Sequence, residues 1–81
     1  MISNQPLKPQ NLAKKLKTIR VNLGLSQNEM LEKLGYKDRL FRSNISQYER
    51  GDREPPLLVL LAYAQLGNTS IDNLVDDGIE L

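Results

Sequence analysis

The 81-residue sequence contains no cysteine, no histidine and no tryptophan. Without cysteine there is no disulfide, thiolate metal site or haem attachment. Without histidine the usual general base, the commonest metal ligand and the neutral-pH proton switch are missing together. Catalysis would have to run on Asp, Glu, Lys, Ser or Tyr, and no paired-carboxylate, metal or nucleophile constellation is visible. The expectation is therefore a non-enzyme with no cofactor, metal or small-molecule ligand. Long apolar runs are also scarce. The longest, residues 57–64, has eight residues, against the ~18 needed to span a membrane. Residues 1–10 are polar, with Pro6 and Pro9 and no apolar signal core. A soluble, cytoplasmic protein is expected.

What remains is ordinary globular composition, 40% hydrophobic and 26% charged. The length suits one domain, and a core this small favours helices with local contacts. The formal net charge is only +1, but it is unevenly placed. All eleven Lys and Arg lie in residues 1–53 with five acids, a net of +6. Residues 54–81 hold five acids and no base, a net of −5. Such asymmetry suggests a basic working face and an acidic end, although small helical domains also carry lopsided charge with no partner.

Periodicity divides the chain into a flexible arm (1–10), a helical domain (11–75) and an acidic end (76–81). Leu12, Leu16, Ile19 and Leu23 recur at helical spacing. Gly24 stops that helix in the left-handed region, with Leu25 as the contact beyond the cap. Ser26 and Glu29 form a capping box for a second helix that runs to about Leu34, with Met30, Leu31 and Leu34 inward. Gly35 ends it, and Tyr36 is placed to fold back on Leu31. Residues 37–43 contain neither Gly nor Pro. Asp38 can cap a helix, and Phe41, Ile45 and Tyr48 then share one stripe. The spacing predicts a third helix over 39–50 with Phe41 buried; the alternative is a loop to Phe41 and a shorter helix after it. Gly51 and Pro55-Pro56 end that helix. A fourth helix, 57–66, opens behind Pro56 and stops at Gly67-Asn68, both tolerant of the left-handed region. Ser70 caps a short fifth helix with Ile71, Leu74 and Val75 inward. Tyr48 and Met30 read as core, and Tyr36 and Tyr63 as aromatics with wetted hydroxyls. The fold class is all-α, five helices with no strand pattern.

The second and third helices are short, adjacent and joined by a turn, the helix-turn-helix layout. The ordered set Gly24-Leu25-Ser26-Gln27, Leu34-Gly35, Ile45-Ser46-x-x-Glu49-x-Gly51-x-x-x-Pro55 resembles the phage-repressor/Cro type of domain, the XRE-like family. Leu60-Leu61-x-x-Ala64 and Ser70-Ile71-Asp72-x-Leu74 resemble its fourth and fifth helices. The resemblance covers about residues 12–75. It implies a compact five-helix regulator of transcription that binds double-stranded DNA, usually as a dimer.

Gln27 matches the family's phosphate-contact position, and its amide beside a helix N-terminus suits a phosphate oxygen. Asn28 is a second candidate. On the third helix, the face opposite Phe41, Ile45 and Tyr48 carries Arg39, Ser43, Gln47 and Arg50, flanked by Arg42 and Ser46. Arg, Gln and Ser are residue types that read base edges. By resemblance Arg42, Ser43 and Gln47 match base-contacting positions. Asn44 suits a phosphate or a cap, and Arg50 and Arg53 suit phosphates. The bland reading of such a face is solvation. The family also places Arg20 against Glu49, a structural ion pair that orients the third helix.

This chain departs from the pattern in three places. From Gly35 to Ile45 is ten residues, longer than the family's spacing by about one helical turn. Leu31 stands where a small residue is usual, and Leu58 and Val59 where polar ones are common. Either Leu40 or Phe41 covers that apolar pair, or it belongs to a dimer surface. The C-terminal half is the candidate surface for a homodimer. The rival reading is a helical protein-interaction module, antitoxin-like or adaptor, that keeps the fold without needing DNA.

Overall fold

Leu12, Leu16 and Ile19 lie on one buried stripe of α1 (Leu12–Asn22). Around it are arranged α2 (Gln27–Leu34), α3 (Arg42–Arg50), α4 (Leu57–Leu66) and α5 (Ile71–Val75). The structure, a computed structural model, describes residues 7–81; the expected arm falls partly on residues 1–6, outside that range. All the described elements are helices. α1 packs on α3, α4 and α5, and α2 packs on α3 and α4. Met30, Leu31, Leu34, Ile45, Tyr48, Val59, Leu60, Tyr63, Ala64 and Leu74 complete one contiguous core. Val75, expected inward, is exposed, and so is Leu23, the last of the recurring apolar positions of the first helix. Each sits at a helix end, where the stripe has rotated past the neighbouring helices.

The ends of the helices follow local chemistry. Ser26 accepts from the Glu29 amide at 3.1 Å, while the Glu29 carboxylate accepts from the Ser26 amide at 2.8 Å. This is the anticipated capping box, and these bonds to Ser26 lower the Glu29 pKa. After α1, Leu25 N–H reaches Arg20 O at 3.2 Å and Gly24 N–H reaches Val21 O at 2.9 Å, a Schellman closure. Gly51 closes α3 in the same way at φ +78°, a conformation in which a β-carbon is strained. After α4 the two candidates divide the work. Asn68, at φ 53°, takes the left-handed position, while Gly67 stays at φ −81°. Gly67 is needed for space instead: a β-carbon there would come within 2.9 Å of the Ile19 side chain.

Two long-range ties hold α1 to the C-terminal segment. The Asp77 carboxylate accepts from Gln10 N at 2.9 Å and Asn11 N at 3.0 Å, satisfying free amides at the start of α1. These backbone bonds depress its pKa. Lys15 is buried, and its Nζ donates to Asn73 O and Asp76 O, both at 2.7 Å, satisfying carbonyls at the end of α5.

The segment before α3 differs from the helical extension expected. Arg39 N and Leu40 N both donate to Tyr36 O at 2.9 Å, forming one tight turn that packs Tyr36 and Leu40 against the core. Phe41 is extended (φ −115°, ψ 162°) and 74% exposed, and α3 begins at Arg42. The competition is between two stripes. A helix through 39–41 would bury Phe41 and turn Leu40 outward, whereas the turn buries Leu40 with Tyr36 and leaves Phe41 out. Asp38 is not the cap. Asn44 fills that role from inside the helix, its Oδ1 accepting from Phe41 N at 2.9 Å.

Candidate nucleic-acid interface

One shallow depression gathers Gln27, Arg42, Ser43, Ser46, Gln47 and Arg50. Five of the six lie on α3 and one opens α2. At about 100° per residue, Arg42, Ser46, Arg50, Ser43 and Gln47 cover the side of α3 opposite Ile45 and Tyr48. The helix therefore presents a polar face with two guanidiniums, two hydroxyls and an amide. Arg42 and Ser43 are exposed, while Ser46 and Gln47 are half-buried. Asn44 stands at the edge, with Nδ2 toward Gln47 Oε1 at 3.4 Å. Arg50 Nε donates to Asp52 at 3.0 Å, an ion pair exposed on both sides and weakly held.

The orientation of α3 is set from behind. Arg20 Nε donates to Glu49 Oε2 at 2.6 Å and Nη2 to Oε1 at 2.9 Å. Its Nη1 reaches Leu25 O at 2.9 Å. The Glu49 side chain is only 4% exposed. This fork-on-fork pair ties α1, the turn after it and α3 together, and fixes both groups in one plane. The hydrogen bond to Glu49 raises the Arg20 pKa further above its usual high value. Gln27 Nε2 stands 3.4 Å from Glu49 Oε1, so the start of α2 shares the anchor. Tyr63 lies beneath the pair. Its hydroxyl was expected to be wet, but it is fully buried with no hydrogen-bond partner. Burial above all, then the nearby Glu49 charge, pushes its pKa well up.

Three of the anticipated site residues lie elsewhere. Arg39 sits in the Tyr36–Leu40 turn, not on α3, because the helix starts three residues later than the Phe41 stripe suggested. Asn28 faces a separate hollow with Glu29, Glu32 and Lys37. Arg53 lies in the loop after α3 and lines a cleft with Lys8, Gln10 and Glu54. Lys8 carried no signal of its own, since only the fold brings the segment before α1 to the loop after α3. Among the described residues no acidic, histidine or cysteine cluster could hold a metal ion, and no helix is long and apolar enough to cross a membrane.

The Helix-turn-helix family matches residues 16–74. The HTH-type transcriptional regulator ImmR of Bacillus subtilis (strain 168) is 38% identical over 65 residues, which is 80% of this chain and 48% of that protein. The chain thus spans about half the length of the curated relative it matches. Among solved structures, the master regulator for biofilm formation SinR, crystallised in complex with DNA, superposes with a TM-score of 0.66 at 26% identity. That match covers 80% of this chain and 98% of the other.

Proposed function

Because the chain belongs to the helix-turn-helix family, we propose that it is a sequence-specific transcriptional regulator that binds double-stranded DNA and lays α3 in the major groove. The observation that carries this reading is the gathering of Gln27, Arg42, Ser43, Ser46, Gln47 and Arg50 around one polar depression, backed by a largely buried ion pair. Arg42, Ser43 and Gln47 read base edges; Ser46 supports them from the same face. Gln27 and Arg50 hold phosphates on either side, with Asn28, Arg39 and Arg53 as outlying backbone contacts. Asn44 serves as cap and edge support for Gln47. The protein acts by occupying its site, as a repressor or an activator, with no chemistry and no cofactor, and a cytoplasmic location follows.

A homodimer suits the reading, because two-fold half-sites lie about one turn of DNA apart, ~34 Å. The apolar pair on α4 splits between core and surface. Val59 is buried, while Leu58 is 64% exposed beside exposed Leu57 and Leu61. This uncharged stripe supports contact with a second copy. It equally favours the rival protein-interaction module.

Selection of binding sites from random duplexes tests the proposal. A recovered consensus is expected, with Gln47→Ala and Arg42→Ala relaxing base preference by about 1–3 kcal/mol where a contact is bidentate. Arg53→Ala should weaken all sequences alike and flatten the salt slope. Absence of duplex binding even at low salt would favour the interaction module.

A further inference from the structure

Phe41 is the chain's single phenylalanine, and the fold leaves it 74% exposed. Its backbone is held on both sides: Phe41 N donates to Asn44 Oδ1 at 2.9 Å, and Phe41 O accepts from Asn44 N at 2.9 Å. The ring thus projects from a fixed peptide, not from a loose loop. It immediately precedes Arg42, its Cα ~3.8 Å from the first residue of the reading face. All five residues on that face of α3 are polar, and the exposed apolar residue that leads into them along the chain is Phe41.

The major-groove edges of base pairs are polar with one exception, the C5 methyl group of thymine. A ring at the leading end of α3 meets such a methyl with mutual loss of wetted apolar surface. We propose that Phe41 is an apolar base reader that packs on a thymine methyl at the end of the site contacted by the N-terminus of α3. The proposal rests on the duplex-DNA reading above and adds to it a specific base preference.

The test uses duplexes selected by the parent protein, with each thymine replaced in turn by uracil. Uracil deletes the methyl and keeps the hydrogen-bonding edge. At one thymine, the replacement is expected to weaken parent binding about fourfold, the effect of one buried carbon group. Phe41→Ala should bind the thymine duplex more weakly than the parent and be indifferent to uracil at that position. Equal uracil sensitivity in both proteins overturns the proposal, and so does a parent indifferent to uracil everywhere; both leave DNA binding itself standing. A parent that selects no duplex overturns the regulator reading and this one with it. Phe41→Ala should melt with the parent, and a clear loss of melting temperature would overturn the proposal by placing the ring in the core.

Discussion

Glu49 carries much of the placement of α3, because its carboxylate is enclosed and both its oxygens are engaged by Arg20. Glu49→Ala would leave a largely buried guanidinium without its counter-charge. The expected cost is about 3 kcal/mol, read as a fall in melting temperature, with DNA affinity falling because the reading face is no longer held. A melting temperature equal to the parent's would remove Glu49 from this role. Tyr63 presents the opposite case. Its hydroxyl is buried beneath that pair with no partner, so the native state already bears its desolvation. Tyr63→Phe removes the unsatisfied group and keeps the ring, and is expected to be neutral or stabilising by up to about 1 kcal/mol in denaturant unfolding. A marked loss of stability would mean that the hydroxyl has a partner in solution.

Between α2 and α3 the chain chose which apolar side chain to bury. Leu40 packs against the core from the Tyr36–Leu40 turn, and Phe41 stays outside. Leu40→Ala should therefore cost about 1–2 kcal/mol, below the full range for a buried leucine because the site is half-exposed. Phe41→Ala should change stability by less than about 0.5 kcal/mol. Chemical denaturation of the two variants side by side checks the order, and the reverse order would restore the longer α3. This choice was hidden in the sequence because Phe41 with Ile45 and Tyr36 with Leu40 are both spaced for a helical turn. Only the tertiary neighbours decide between them. The Ser26–Glu29 box, the Gly24 and Gly51 closures and the Arg20–Glu49 pair were legible, the first two through local chemistry and the last through family resemblance. The polar face of α3 was legible from Arg42 onward, since its periodicity survives the shift in helix start. Lys15 was not, since its acceptors lie 58 and 61 residues away and nothing near it marks a buried amine.

At the scale of the whole molecule the bases and acids are segregated along the chain, yet one acid of the C-terminal segment has a place in the fold. Asp77 accepts the first amides of α1, and its folded pKa is depressed chiefly by the bond from Gln10 and then by that from Asn11. A depressed carboxylate stabilises the fold above its unfolded value, about 4, and loses that contribution as pH falls through the lower folded value. Asp77→Asn should therefore melt below the parent at pH 7, and the gap should close as pH drops below about 4. A gap that persists unchanged at pH 2 would show that charge is not the cause. The same contact has a topological consequence. Because Asp77 touches Gln10 and Lys15 reaches Asp76, the described chain is nearly a ring. A short linker from residue 79 to residue 8 would close it, and the exposed turn at Lys37–Arg39 offers a place to reopen it. Such a circular permutant should fold with all five helices, now beginning at the segment that leads into α3. The order of helices along the chain would then be separable from the surface that α3 presents.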